Sequence, residues 1–213
     1  MVKFNTTWQV GPHGPLEEID EGLFSVSGEI VMPLGHFPRR MTLVRLADGG
    51  VVIWSAVALG EAEMAKVEAL GPLRYLVVPN AGHRLDAHIF KARYPDLKVV
   101  APKGARDAVE EAVAVDETED PFDDPAVRFV TVAGTAEAES AMIVRRVAGT
   151  TLIANDIIGH VAHPHGLGAK VMAHLFDYGV DEPSVPRTVR RFIKDPDALA
   201  TQMRAWADLP DLK

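Results

Sequence analysis

The chain has 213 residues, 47% of them hydrophobic and 24% charged, a balance that fits a globular protein with a sizeable core and excludes disorder as the main state. Its 22 Lys and Arg against 30 Asp and Glu give a formal net charge of −8, so binding to nucleic acid or anionic membranes by counterion release is not expected. There is no cysteine, which excludes disulfides, iron–sulfur clusters, thiolate zinc sites and cysteine nucleophiles; any metal would be held by nitrogen and oxygen, and eight histidines are available.

Residues 1–22 are rich in Gly, Pro and acid without a clear period, and read as an irregular N-terminal arm ahead of a domain over 23–213. The first residues lack the apolar core of a signal peptide. The longest apolar stretches, such as 51–59, fall short of the ~20 residues that span a bilayer, so a cytoplasmic protein is expected. Residues 23–32 and 41–46 read as strands. Ala47-Asp48-Gly49-Gly50 is a tight turn, because Asp-Gly supplies the positive φ angles a hairpin needs, and 51–55 returns as a buried strand. A helix follows over 61–70, with Met64, Val67 and Leu70 on one face and Gly71-Pro72 as its stop. Strand 75–78, helix 85–94 (stopped by Pro95), strand 98–101 and helix 105–115 continue the chain. Short apolar strands alternating with helices imply parallel pairing covered by helices.

Residues 116–124 carry six carboxylates without the Asp-x-Asp-x-Asp-Gly spacing of a calcium loop, and read as a solvated loop. Strands are predicted over 127–132, 141–146 and 151–154, with Ala148-Gly149 as the turn between the last two. A loop rich in His, Gly and Pro covers 156–168, and helices are predicted over 169–176 and 195–209. Two sheets with helices outside them account for both halves of this α/β chain.

Two constellations carry chemistry. The first, His83-Arg84-Leu85-Asp86-Ala87-His88, follows the strand at 75–78, where α/β folds place ligands. Histidines five apart on one helix point ~140° from each other. They would share a metal only with His83 on the loop and His88 in the first helical turn, a bend that Gly82 makes cheap; otherwise they are a surface and a packed histidine. The second is Asn155-Asp156 after the strand at 151–154. An acid there tends to face a cleft, since burying it unpaired is costly, unless it is a turn or cap residue. His160, His163 and His165 follow in the same loop. There is no Gly-x-Ser-x-Gly, His-Glu-x-x-His, phosphate-binding loop or dinucleotide fingerprint. Ser55 ends a strand, but nothing in the sequence supplies it with a base.

From about Leu23 to its end the chain resembles the metallo-β-lactamase superfamily, as a branch with degenerate metal motifs. The resemblance rests on the opening hairpin, the strand–loop–helix around 79–88 and the strand ending in Asp156. It implies a four-layer αββα sandwich, with an active site where those loops converge and one or two metal ions that activate a water. Against the signature His-x-His-x-Asp-His, only His83 and His88 match; Leu85 and Ala87 replace the middle histidine and the aspartate, and Asp86 stands one place early. Thr135 stands where a Gly-His turn is usual, Asp156 matches the later bridging aspartate, and the sequence ends at Lys213 ahead of the last strand and its histidine. The resemblance therefore implies a reduced, mononuclear site of zinc, or else iron or manganese, held by His83, His88 and Asp156. His160 would be a fourth ligand or a support to the others, and Asp86 would move protons. The implied activity is hydrolysis of small ester, acyl or phosphoryl substrates. The alternatives are a non-catalytic or metal-free scaffold that binds a small molecule or a partner, and a metal-independent hydrolase built around Ser55.

Overall fold

Gly49 adopts φ 84°, Asp48 accepts a hydrogen bond from Gly50 N at 2.8 Å, and Leu46 N donates to Gly50 O at 2.8 Å, so the Asp-Gly turn reverses the chain as its composition requires. The computed structural model describes residues 4–32, 35–161 and 167–213. Around that turn lie the strands Glu17–Asp20 (β1), Leu23–Met32 (β2), Gly35–Arg45 (β3) and Val51–Trp54 (β4), paired antiparallel in sequence order. Helix Glu61–Ala69 (α1) then leads to Leu73–Val77 (β5), and Ala87–Arg93 (α2) to Lys98–Val100 (β6). Both of these strands pair parallel to the strand before them, which completes a six-stranded sheet. After the one-turn helix Arg106–Glu110 (α3), the strands Val127–Thr131 (β7), Ser140–Arg146 (β8) and Gly149–Ile153 (β9) form a second, antiparallel sheet. Helices Leu167–Phe176 (α4), Arg187–Arg190 (α5) and Pro196–Ala207 (α6) follow.

Strand alternation sorts the core into three apolar layers. Val51 and Ile53 of β4 pack with Met64 and Val67 of α1, Phe90 of α2 and Val109 of α3. Val52 and Trp54, on the opposite face, pack with Val127 and Phe129 of β7 and with Met142 and Val144 of β8. The other face of β8, Ala141 and Ile143, packs with Leu199 and Trp206 of α6. Helix, sheet, sheet and helix thus stack as the expected αββα sandwich, with each fully buried large side chain contributing about 1.5–3 kcal/mol.

Some elements differ from expectation. The arm contains β1, because Glu17 and Glu18 pair with Ser25 and Phe24. The helix expected over 105–115 is only one α-turn, preceded by a 3-10 turn at Lys103–Ala105. The chain leaves it to reach the edge of β6, where Asp116 and Glu117 donate their N–H groups to Val99 O and Val99 N donates to the Asp116 carboxylate. The acidic stretch at 116–124 is anchored rather than freely solvated: Phe122 is buried against Tyr75, and the buried Asp124 carboxylate accepts from Ala47 N and Ala126 N. Beyond α6, Leu212 makes a parallel bridge to Thr150 of β9. Among the described residues no helix is long and apolar enough to cross a membrane.

Candidate functional site

Four strand ends meet at one edge of the sandwich. β4 and β5 run parallel with Trp54 opposite Val77, so Ser55 and the 78–83 loop emerge on the same side. Ser140, the first residue of β8, donates both its N–H and its hydroxyl to Pro79 O, at 3.1 and 2.9 Å, which ties the second sheet to that loop. β9 runs antiparallel to β8 with Ile153 opposite Met142, so the chain after β9 emerges beside the start of β8. Asn155 and Asp156 therefore arrive at the same edge as His83.

The loop after β5 is shaped by Asn80, whose side-chain oxygen accepts from Gly82 N at 2.7 Å and caps the 3-10 turn Ala81–His83. That turn presents His83 between two partners. Its Nδ1 lies 2.7 Å from Ser55 Oγ, and its Nε2 lies 3.4 Å from Asp156 Oδ1. Trp54 Nε1 donates to Asn155 Oδ1 at 2.5 Å, which fixes the amide so that its nitrogen faces the His83 ring, 3.2 Å from Nδ1 and 3.3 Å from Nε2. For Ser55 Oγ to donate to Nδ1, a neutral ring must carry its proton on Nε2, the nitrogen that faces the carboxylate. Asn80 Nδ2 donates to Asp156 Oδ2 at 2.9 Å and to Glu139 Oε2 at 2.7 Å, so a single amide bridges two carboxyl groups.

Those two carboxyls are pushed apart in acidity. Burial drives Glu139 up to about 9, helped by the charge of Asp156, so it is neutral at pH 7. Partial desolvation pushes Asp156 upward, but the hydrogen bond and charge of His83 and the Asn80 amide together outweigh it, and Asp156 titrates below the ordinary carboxylate range. One acid is held neutral and its neighbour charged, the pattern in which acid and base roles separate. The His83 side chain is 19% exposed and that of Asp156 49%, so the row opens to solvent from the Asp156 end.

Of the residues singled out in the sequence, the structure brings Ser55, His83 and Asp156 together and leaves His88, Asp86, Thr135 and His160 apart from them. His88 lies in the first turn of α2, where its Nδ1 is 3.1 Å from Ala112 O and its ring 5.8 Å from Phe4; the five-residue offset turns it toward α3. Asp86 has no exposed surface. Its Oδ1 accepts from Asn5 Nδ2 at 2.6 Å, and its Oδ2 from Arg39 Nη1 at 2.7 Å and Ala58 N at 3.0 Å, which makes it a buried tie rather than a group open to substrate. Thr135 is buried with its hydroxyl on Val132 O at 2.7 Å. His160 is exposed beyond the Gly159–Ser184 bridge, and His163 and His165 lie outside the described residues.

The donor set can be tested against a metal. Two ligands about 2.1 Å from a tetrahedral ion lie roughly 3.4 Å apart, the separation of His83 Nε2 and Asp156 Oδ1. A catalytic zinc site wants three protein ligands, however, and among the described residues no group of three or more His, Asp or Glu side chains could hold an ion. The described side chains do not fit the mononuclear centre expected from the sequence. Sequence reading also missed Asn80, Asn155, Trp54 and Glu139. Glu139 had a signal of its own, an acid immediately before an apolar strand, where Asp156 comes shortly after one. Asn80 had only a local cap signal, its bond from Gly82 N; the contacts of both amides within the site had none, because Glu139, Asp156 and Trp54 are distant in sequence from their partners.

No protein-family model matches the chain, and no curated protein matches it. Solved structures do. The metallo-β-lactamase DIM-1 exposed to ceftazidime superposes with a TM-score of 0.56 at 13% identity, covering 91% of this chain and 99% of its own. FIM-1 from Pseudomonas aeruginosa, in a mono-zinc form, gives 0.53 at 11% identity, covering 89% and 96%. A metallo-β-lactamase from Hirschia baltica gives 0.52 at 13% identity, covering 85% and 95%. The fold is metallo-β-lactamase-like over nearly the whole chain.

Proposed function

We propose that this chain, on its metallo-β-lactamase-like fold, is a hydrolase of small esters and related acyl compounds in which His83, oriented by Asp156, takes the proton from the attacking oxygen. One observation carries the reading: His83 is held with one ring nitrogen on a hydroxyl and the other facing a carboxylate. That arrangement fixes the tautomer and stabilises the imidazolium formed as the proton arrives, the work of a general base, typically ~10²–10⁴-fold in rate. Neutral acyl substrates suit the site better than phosphoryl ones, because the groups bonded into this network include an anionic Asp156 and no Lys or Arg. The implied partner is a small molecule. For zinc, iron or manganese the described donors supply two of the three ligands such a centre needs.

The test is turnover of a panel of p-nitrophenyl esters by the wild type, with and without chelator, beside His83→Ala. The reading expects chelator-resistant hydrolysis that falls at least ~100-fold in the variant. Equal turnover in wild type and His83→Ala would sink it. Activity lost to chelation and restored by added zinc would overturn the metal-free form in favour of the metal-dependent one.

A further inference from the structure

Ser55 is the first residue after β4 and adopts φ 58°. Left-handed backbone costs a non-glycine residue about 1–2 kcal/mol, and such strain persists only where the surroundings hold it. Here Ser55 N donates to Val77 O at 3.0 Å, and only 4% of the residue is exposed. Continued alternation along β4 would carry residue 55 to the helix-side core with Val51 and Ile53. The left-handed turn ends that alternation and leaves the hydroxyl at the strand end, 2.7 Å from His83 Nδ1. Among the described residues, the other non-glycine positions with positive φ, such as Asp123, Ala136 and Asp177, lie in loops or after a helix rather than at the end of a buried strand.

Hydroxyl, imidazole and carboxylate therefore stand in a row, with each partner on its own ring nitrogen. We infer that Ser55 is a nucleophile and that hydrolysis runs through an acyl-enzyme, an inference that rests on the hydrolase reading above. Ser55 Oγ bonds to the substrate carbonyl carbon while its proton moves to His83 Nδ1 and the carbonyl π pair moves onto oxygen. Collapse re-forms the carbonyl and breaks the bond to the leaving alkoxide, which takes the proton from Nδ1. Water then attacks the acyl carbon and gives a proton to Nδ1; Oγ leaves and recovers that proton. The balance is ester plus water to acid plus alcohol, with no further reactant. Asp156 touches no reacting atom in this scheme; it positions the ring and stabilises its protonated form.

The experiment uses the full chain with p-nitrophenyl acetate and, separately, a fluorophosphonate probe followed by peptide mass mapping, for the wild type, Ser55→Ala and Ser55→Gly. Glycine adopts positive φ without strain, so the second variant is expected to fold at least as well as the parent. Expected are a nitrophenolate burst close to the enzyme concentration, a covalent adduct on the peptide holding Ser55, and loss of both adduct and at least ~100-fold of turnover in the two variants. Wild-type turnover kept within about threefold in both variants, with no adduct, would overturn the nucleophile while leaving His83 as a base toward water. A wild type that neither turns over the ester nor takes the label, like His83→Ala, would instead remove the hydrolase reading and the nucleophile with it.

Discussion

Asn80 does three jobs with one side chain: its oxygen caps the turn that carries His83, and its nitrogen bridges Asp156 and Glu139. Removing it as Asn80→Ala is expected to cost about 2 kcal/mol in urea unfolding, because two carboxyl oxygens and a backbone N–H lose their partner. Glu139 supplies a pH signature. Its folded pKa, about 9, lies above its ordinary 4.5, so between those values the native state binds more protons than the unfolded chain. Stability contributed by this group is therefore expected to fall as pH rises from about 5 toward 9. Glu139→Gln, which cannot ionise, is expected to flatten that decline and to raise the melting temperature relative to wild type more at pH 8.5 than at pH 5.5. A parallel pair of melting curves across that range would contradict the assignment. Asp156→Asn keeps the shape but removes the charge that faces His83, and is expected to lower turnover ~10²-fold or more with little change in fold.

At the scale of elements, the contact between the loop after β7 and the start of α6 rests on a glycine. Gly134 sits at φ 77°, its carbonyl accepts from Lys194 N and Asp195 N, and a β carbon there would lie 2.1 Å from Asp195 O. Asp195 in turn caps α6, accepting from Ala198 N at 2.9 Å. Gly134→Ala is expected to lower the melting temperature more than Asp195→Ala, whose lost cap is worth about 1 kcal/mol, because the glycine change must displace backbone. In the sequence this glycine stood beside Thr135, where the resemblance implies a metal-binding histidine. The structure keeps the turn for packing and buries the threonine. Element identities were largely legible, since periodicity is local: β2, β4 and α6 lie close to where alternation, apolar runs and the Asp195-Pro196 start place them. The 105–115 helix was overestimated because its end is set by hydrogen bonds to Val99, a partner that no local pattern reveals.

Across the whole molecule, Asp86 links four separate stretches of chain: the arm through Asn5, β3 through Arg39, the loop after β4 through Ala58 N, and its own place before α2. Breaking a buried ion pair by removing one partner costs about 3–5 kcal/mol, since the other charge is left uncompensated. Asp86→Ala is accordingly expected to lose several kcal/mol of stability by chemical denaturation while its activity per folded molecule stays near that of the wild type. A specific loss of turnover with unchanged stability would return Asp86 to the catalytic role that its neighbourhood to His83 in sequence implied.

The amino-acid sequence by itself determined the layered α/β class, the order of most strands and helices (all but β1 and α5) and the likeness to the metallo-β-lactamase scaffold, because these follow from short-range periodicity and from motifs within a few residues. It also placed His83 and Asp156 at strand ends. Only the tertiary structure decided which side chains share the site, since Ser55, His83 and Asp156 meet through strand pairing and sheet stacking, as do Trp54 and Asn155, 101 positions apart. A five-residue offset on paper cannot say that His88 turns toward Ala112, or that Asp86 is enclosed by Arg39 and Asn5. Direction of a side chain is a property of packing, and packing is settled by partners distant along the chain.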